Sequence, residues 1–336
     1  MLLAKPAPIR RRKVAKSVVS ALILAAFTSF LGTTATARTM PVWQDTALVG
    51  AVDRVYAKYE DTLAAIGDRH SLGYLELLFA NPGVDPWLPG EETPIILPSR
   101  FILPAGAREG IVINLAEFRL YHYKDNSVTT YPVGVGRSTA PSPLTHTEVT
   151  MRLESPAWYP PESVRQEHAA EGDQLPRVIP PGPDNPLGPF ALQLAEKGYL
   201  IHGTNKRFGI GMQVSHGCIR MYNQDISELV WRVETGTPVR IVDQPVKFGV
   251  QDRVLWIEVH RKQDEQTREQ TNRLWQAASE SLQAVEREHP GLELNRALME
   301  KAIEQADGIP RRVGEVIPTQ VAREDSRRPS GDAEGS

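Results

Sequence analysis

The fold and chemistry of this chain are decided by Ser215-His216-Gly217-Cys218-Ile219-Arg220-Met221, preceded by His202-Gly203-Thr204. Cys218 is the single cysteine among 336 residues, so it cannot form a disulfide within the chain. A thiol attacks only as its thiolate, so a catalytic cysteine needs a base or a cation close by. Two of the eight histidines lie within 16 residues of Cys218. The pattern therefore predicts a cysteine nucleophile served by a histidine.

The residues around Cys218 suit attack on a carbonyl. His202 ends a predicted strand, and the glycine-rich return at residues 208–211 allows His202 to meet Cys218 across a turn. Gly217 lets the backbone pass close to a substrate, and main-chain N–H groups near Cys218 can hold a developing oxyanion. Arg220 supplies a fixed positive charge suited to a carboxylate.

Simpler interpretations stay open for the neighbours of Cys218. His216 can order the loop instead of taking part in the chemistry, and Arg220 can form a structural ion pair. A zinc site made by His202, His216 and Cys218 is disfavoured, because zinc ligands usually come as closely spaced pairs in both halves of a site. Here only His216 and Cys218 are close in sequence.

These residues closely resemble the active-site signature of the L,D-transpeptidase family, which has a YkuD-type catalytic domain. That signature is a histidine, a spacer, Ser/Thr-His-Gly-Cys, an apolar residue and Arg or Asn. Residues 183–188 and 134–136 fit the same family. The resemblance is strongest to Gram-negative periplasmic members, some of which attach the murein lipoprotein to the wall. It implies a mainly β fold with α elements, built around a β-sandwich-like catalytic domain that needs no cofactor.

The resemblance also implies a mechanism. Cys218 is the nucleophile and His202 the base, and the thiolate attacks the diaminopimelate carbonyl of a peptidoglycan stem tetrapeptide. D-alanine leaves, and an amine from a second stem peptide or a lipoprotein lysine resolves the thioester. Arg220 binds substrate carboxylates, with Lys206 and Arg207 as further basic candidates. Three residues support the oxyanion or the loop: Ser215, His216 and Gly217. Acylation by carbapenems is a further implication.

The first 37 residues have the pattern of a secretory signal peptide. Six basic residues and no acidic ones precede an apolar run at residues 18–31, and Ala35-Thr36-Ala37 follows. A single membrane anchor is the alternative, but the run is shorter than the ~20 residues needed to span a bilayer. We therefore expect export to the periplasm, with cleavage after Ala37 and no stable membrane insertion afterwards.

Residues 52–98 are predicted to form a small strand–helix–helix–strand domain, with helices at residues 62–68 and 73–80. Two segments resemble a LysM domain, the glycan-chain binder of cell-wall proteins: residues 59–63 and 80–83. Tyr59-Glu60 stands where that family usually has Pro-Gly. A packing domain with no ligand is the alternative interpretation.

The remaining chain divides into three parts. Residues 110–243 are predicted to form the β-rich catalytic domain, with a turn at residues 124–127, a proline-rich lid or wall at residues 160–189, and an amphipathic helix capped by Asn223. Residues 252–310 are predicted to form a terminal strand and a helical extension, in which Leu292, Leu294 and Leu298 are candidate buried positions. The polar tail at 319–336 is predicted to be disordered.

Composition argues against one class of partner, and the cysteine chemistry leaves two alternative functions open. The net charge of −3 gives no excess of base to neutralise phosphates, so nucleic acid is not an expected partner. The expected partners are stem peptides and glycan, with a murein lipoprotein as a second acceptor. A cysteine hydrolase or carboxypeptidase that trims peptidoglycan or releases wall-bound lipoprotein is one alternative. A non-catalytic peptidoglycan-binding protein is another.

Overall fold

A computed structural model of the protein describes residues 38–263 and 267–317. The predicted signal peptide at residues 1–37 and the predicted tail at 319–336 lie outside the described residues. The strands, in chain order, are β1 (Thr39–Pro41), β2 (Leu48–Tyr56), β3 (Pro94–Ile102), β4 (Gly110–Asn114), β5 (Arg119–Lys124), β6 (Ser127–Pro132), β7 (Val135–Gly136), β8 (Thr145–Glu154), β9 (Phe190–Leu194), β10 (Leu200–His202), β11 (Gln213–Ser215), β12 (Ile219–Arg220), β13 (Pro238–Val242), β14 (Val246–Gln251), β15 (Val254–Val259), β16 (Leu292–Leu294) and β17 (Arg311–Val316). The helices are α1 (Leu63–His70), α2 (Tyr74–Ala80), α3 (Glu162–Ala170), α4 (Asn223–Arg232), α5 (Thr267–Glu288) and α6 (Arg296–Gln305), with a 3-10 turn at Leu115–Glu117.

One mixed sheet of nine strands carries the site, in the order β1-β6-β5-β4-β13-β8-β9-β10-β12. Strands β4 and β13 are parallel, as are β10 and β12, and the other neighbours are antiparallel. Helix α4 packs against β9 through its predicted apolar face. This mainly β architecture with helices confirms the predicted fold class.

The hairpin between β5 and β6 shows how local sequence sets the register of this sheet. Asp125 and Asn126 both have positive φ, at 51° and 54°. Asp and Asn tolerate the left-handed region that a two-residue hairpin loop requires. The turn predicted at residues 124–127 is therefore confirmed, and it brings β5 and β6 into antiparallel pairing.

The predicted strand–helix–helix–strand unit at residues 52–98 is present, but its strands are longer than expected. Strands β2 and β3 pair antiparallel over their full lengths, from Leu48 opposite Ile102 onwards. Strand β3 therefore extends to Ile102, beyond the end of the unit predicted at residue 98. Thr62 caps α1, because its hydroxyl accepts a hydrogen bond of 3.0 Å from the backbone N–H three residues later.

A buried ion pair fixes this small unit to the main sheet. Arg119 of β5 donates three hydrogen bonds of 2.6–2.9 Å to the carboxylate of Glu76 in α2, and the Arg119 side chain is 1% exposed. Nearby, Gly211 has φ +79°, and a Cβ there would lie 2.4 Å from the Cα of Gly73. Residues 52–98 therefore pack directly against the loop that leads from β10 to β11.

Removing the carboxylate of this pair should be costly. In Glu76→Ala the Arg119 guanidinium stays buried without a counter-charge, so we expect the free energy of unfolding to fall by about 3–5 kcal/mol in urea denaturation. Asp53→Ala is the matched control, because it breaks an ion pair with Arg38 whose side chains are 47% and 61% exposed. Such a pair contributes about 0–1 kcal/mol. Equal losses in the two variants would contradict this role for Glu76.

The proline-rich segment at residues 160–189 contains a helix that the sequence analysis missed. Helix α3 follows Pro161, and its nine residues include no proline or glycine, so a short helix forms within the loop. Its buried residue is Val164. Because so little apolar surface holds α3, polar contacts largely determine where this helix lies.

The segment predicted as a strand and a helical extension at 252–310 belongs to a second sheet. Strands β14, β15, β17 and β16 pair antiparallel in that order, with α5 against β14 and α6 against β15 and β17. The predicted boundaries are therefore too narrow, because β14 begins at Val246 and β17 ends at Val316. Within the described residues, no helix has the length and apolar character needed to cross a membrane.

Two of the predicted buried helical positions are in a strand instead. Leu292 and Leu294 form β16, because Pro290-Gly291 ends the preceding helix, with Gly291 at φ +90°, and the next residues pair with β17. Leu298 lies in α6 but is 44% exposed, so its prediction as a buried position is wrong. Sequence periodicity could not separate these short apolar runs.

A buried charged cluster joins the second sheet to the first. The ammonium of Lys247 lies 2.6 Å from Glu117 and 3.0 Å from Glu258, and it donates to the Ile102 carbonyl at 2.7 Å. Glu117, Glu258 and His260 together have the ligand spacing of a metal site. The Lys247 ammonium already supplies a cation among the carboxylates, so the cluster is explained as an ion-pair network linking the two sheets.

Candidate active site

The pairing of two parallel strands brings together the segments that carry the candidate nucleophile and base. In the pairing of β10 with β12, Ile201 lies opposite Ile219 and His202 opposite Arg220. Cys218 directly precedes β12. The thiol and the imidazole are therefore carried by neighbouring strands, although 16 residues separate them in sequence.

The Cys218 thiol is partly exposed and polar groups surround it. Its Sγ lies 3.7 Å from the Gly198 carbonyl oxygen, which accepts from it. Burial raises the pKa of Cys218 above its ordinary value of 9.0, opposed by a backbone hydrogen bond from Leu200 and by the charge of Arg220. At neutral pH the residue is therefore a thiol, and it needs a base before it can attack.

His202 is buried and held in one orientation. Its Nδ1 lies 2.6 Å from the Gly203 carbonyl oxygen. A carbonyl only accepts, so we assign the proton to Nδ1, which leaves Nε2 of the neutral ring with its lone pair. Burial, with a smaller contribution from the charge of Arg220, lowers the pKa of His202 to about 4. The ring is thus neutral at pH 7 and suited to accept a proton.

Ser215 holds the cysteine loop from within. Its buried hydroxyl donates to the Cys218 carbonyl at 2.5 Å and accepts from the Gly217 N–H at 3.1 Å. The Gly217 carbonyl in turn accepts a 2.7 Å hydrogen bond from the Ser142 hydroxyl. The N–H and the carbonyl of Gly217 are both engaged in fixing the loop. Ser142 was not among the predicted residues.

Alanine at Gly217 should strain this loop. Gly217 has φ +106°, and a Cβ there would lie 2.9 Å from Cε1 of Tyr199. We expect Gly217→Ala to lower the free energy of unfolding by about 1–3 kcal/mol in urea, because an L residue rarely adopts this φ and the added Cβ would also contact Tyr199. Gly172→Ala is the control, since Gly172 has φ +86° but a Cβ there meets nothing within 4 Å. An equal or smaller loss in Gly217→Ala would show that contact with Tyr199 has no effect.

His216 contacts the helix of the proline-rich segment. Its Nε2 lies 2.9 Å from Oε2 of Glu167 in α3. Arg137, directly after β7, also binds Glu167, with two parallel hydrogen bonds of 2.7 and 2.6 Å. The Arg137 and His216 bonds lower the pKa of Glu167 to about 2. His216 therefore connects the cysteine loop to α3, and sequence patterns gave no sign of Glu167 or Arg137.

Arg220 carries a charge that no carboxylate balances. Within residues 38–263 and 267–317 no acidic side chain lies within ion-pair distance of it, and its buried Nε has no hydrogen-bond partner. Burial lowers the pKa of Arg220. The structural ion pair considered as an alternative finds no support. Of the other basic candidates, Lys206 is exposed, whereas Arg207 pairs with Asp68 of α1.

Asn223 has a different role from the predicted helix cap. Helix α4 already begins at Asn223, and its side-chain oxygen accepts a 2.8 Å hydrogen bond from the Thr204 N–H. A Cβ on Gly203 would lie 2.4 Å from that same oxygen. Asn223 therefore fixes the backbone just after His202. The sequence pattern at Asn223 indicated only the start of a helix.

Comparison with protein-family models identifies a matching domain. The model described as the L,D-transpeptidase catalytic domain, YkuD, matches residues 108–241. That range extends from β4 into β13 and includes His202, the cysteine loop and α3. The lower boundary lies within two residues of the start predicted for the catalytic domain at residue 110.

Relatives with the same family name extend the match. The chain is 45% identical over 202 residues to the probable L,D-transpeptidase ErfK/SrfK of Salmonella typhimurium, and 44% identical over 207 residues to the probable L,D-transpeptidase YcfS of Escherichia coli. These alignments cover 59% and 60% of this chain and 65% of each relative, so less than two thirds of their length is matched. YkuD of Bacillus licheniformis, which carries the same L,D-transpeptidase name, is 31% identical over 190 residues, covering 54% of this chain and 93% of that protein.

Among solved structures, the catalytic domain of an Enterococcus faecium L,D-transpeptidase is 22% identical and covers 41% of this chain and 99% of that one. The TM-score of this comparison is 0.31.

Proposed function

Because the chain belongs to the L,D-transpeptidase family, we propose that it is a cysteine acyltransferase acting on peptidoglycan stem peptides. The observation that carries this proposal is the parallel pairing of β10 with β12, which places a neutral, oriented His202 on the strand next to the one that Cys218 directly precedes. A thiol with a raised pKa requires such a base, and the base is unprotonated at neutral pH.

The first half-reaction forms a thioester. His202 Nε2 takes the proton of Cys218 as Sγ attacks the diaminopimelate carbonyl of a tetrapeptide. The Gly217 N–H is bound by Ser215, so we assign the developing oxyanion to the Cys218 N–H, with the Ser215 hydroxyl holding the loop in place. His202 then gives its proton to the amine of D-alanine, which leaves, and the acyl group remains on sulfur.

The second half-reaction transfers the acyl group. An incoming amine loses a proton to His202 and attacks the thioester, which releases the Cys218 thiol and forms a new amide bond. The amine comes from a second stem peptide or from a lipoprotein lysine. Arg220 binds a substrate carboxylate in this scheme, because its guanidinium is charged, largely buried and free of any acidic partner among the described residues.

We also propose the setting of this reaction. Export by residues 1–37 would place the enzyme in the periplasm, where peptidoglycan is accessible. Residues 52–98 would bind glycan, supported by two exposed aromatic side chains of that unit, Tyr59 at 73% and Trp87 at 57% exposure. Trp87 lies 5.1 Å, between ring centroids, from Phe208 in the loop after His202. This contact would hold a glycan-bound unit next to the catalytic loop.

The test uses residues 38–336 with purified tetrapeptide muropeptides, with and without a lysine-bearing lipoprotein peptide. Released D-alanine together with cross-linked dimer supports transfer to a stem peptide, and product formed only with the lysine peptide supports lipoprotein attachment. D-alanine release without any amide product under both conditions would favour a carboxypeptidase. The absence of D-alanine release would favour the non-catalytic binding protein. Acylation of Cys218 by a carbapenem, read by intact mass, checks the thiol independently.

A further inference from the structure

A carboxylate of the protein itself occupies a cationic pocket next to the cysteine loop. Glu167 of α3 accepts hydrogen bonds of 2.7 and 2.6 Å from the two terminal nitrogens of Arg137. Its Oε2 lies 2.9 Å from His216 Nε2. A fork of two parallel N–H groups is the arrangement that recognises a carboxylate ligand. His216 is two residues from Cys218.

The pocket is anchored to the cysteine loop, whereas the carboxylate that fills it lies on a helix with little buried apolar surface. The Arg137 backbone N–H donates to the Ser215 carbonyl at 3.0 Å, which anchors Arg137 to the cysteine loop. Glu167 instead lies on α3, a nine-residue helix whose buried residue is Val164. The side chains of Arg137, Glu167 and His216 are 34%, 35% and 31% exposed. All three side chains are accessible to solvent, so the carboxylate of a ligand can reach the same N–H groups and replace Glu167.

We propose that Arg137 and His216 form a second substrate-carboxylate subsite, which Glu167 occupies in the free enzyme. The ligand is a peptide carboxylate of the acyl donor, which displaces Glu167 and moves α3 away from the cysteine loop. This inference rests on the proposed function, since a stem peptide carries more than one carboxylate. Arg220 binds one of them on the strand that follows Cys218, and Arg137 binds another across the loop. Glu167 thereby weakens the binding of donors that carry the second carboxylate, because each of them must displace it. Its removal favours those donors.

The experiment measures tetrapeptide binding by calorimetry in a Cys218→Ala background of residues 38–336, so that turnover does not interfere. We expect Glu167→Gln to bind the tetrapeptide about three- to fivefold more tightly, because the internal competitor is gone. Arg137→Gln should bind it about tenfold more weakly. In the Arg137→Gln background, adding Glu167→Gln should change nothing further. Glu162→Gln is the matched control, with the same change of charge in the same helix but away from Arg137.

The outcomes separate the two proposals. Unchanged or weaker binding in Glu167→Gln would show that the Glu167 contact only supports the loop, and would overturn the subsite. Arg137→Lys, which keeps the charge, should bind more tightly than Arg137→Gln if both keep their melting temperature. A tetrapeptide amidated at its carboxylates should bind with equal affinity to the protein with Arg137 and to Arg137→Gln. If the enzyme with Cys218 intact releases D-alanine while these variants bind alike, the subsite alone fails; if it releases none, the proposed function fails.

Discussion

Cys218→Ala is expected to lower the rate of D-alanine release from a tetrapeptide by at least about 10⁴-fold, because covalent catalysis is lost with its nucleophile. The melting temperature should change little, since the thiol is partly exposed and the hydrogen bond that it donates, to a backbone carbonyl at 3.7 Å, is weak. Tetrapeptide affinity should also persist, because Arg137 and Arg220 remain. The measurement is a single-turnover assay of D-alanine, with the melting temperature of each protein determined in parallel.

A second variant tests whether the loss of activity comes from the loss of the sulfur nucleophile. Cys218→Ser keeps the size and hydrogen-bonding capacity of the side chain but offers a much weaker nucleophile. It should be nearly as inactive as the alanine variant. D-alanine release by Cys218→Ala at a rate within tenfold of the wild type would remove Cys218 from the mechanism.

His202→Gln is expected to lower kcat/KM by about 10²–10⁴-fold, the usual contribution of a positioned general base. The pH profile gives a sharper test. Because the pKa of His202 is about 4, the ring is neutral above that value and the acid limb of kcat/KM should fall near pH 4, not near pH 6.5. Activity should be retained from pH 5 upwards in the wild type.

The matched control for His202 is His216, which also flanks the cysteine loop but contacts Glu167. His216→Gln should keep the acid limb near pH 4 and change the affinity for substrate more than kcat. Loss of the acid limb in His216→Gln, with its retention in His202→Gln, would reverse the two assignments.

Much of the site could be predicted because its residues are close in sequence or in a recognisable spacing. Cys218, His202 and Arg220 form a short pattern, and the alternation of strands around them indicated a sheet that brings their ends together. The hairpin turn at residues 124–127 could also be predicted, because Asp125 and Asn126 are residues that tolerate positive φ.

The rest depends on contacts between segments far apart in sequence. Glu167 lies 49 residues from His216, and Ser142 lies 75 residues from Gly217. Local sequence periodicity does not predict such partners. Asn223 illustrates the limit most clearly, since its position before an amphipathic run is typical of a helix cap, yet its side chain bonds the backbone after His202 instead.

The second sheet also depends on contacts between segments that are far apart in sequence. Lys247, Glu117 and Glu258 are charged residues, which are usually found at the surface, but here they pair with one another in the interior. Strand β17 completes its sheet through residues rich in arginine and glutamate, with Val313 as its buried residue. Pairing with β15 and β16, rather than local hydrophobicity, makes that segment a strand.

Intact mass spectrometry shows whether Cys218 carries an acyl group donated by a tetrapeptide. Residues 38–336 and the Cys218→Ala variant are incubated with purified tetrapeptide muropeptide and quenched in acid. We predict a wild-type adduct with the mass of the muropeptide less D-alanine, mapped to Cys218 and absent from the variant. D-alanine release without that adduct in rapidly quenched wild type, or an equal adduct in Cys218→Ala, would contradict the account.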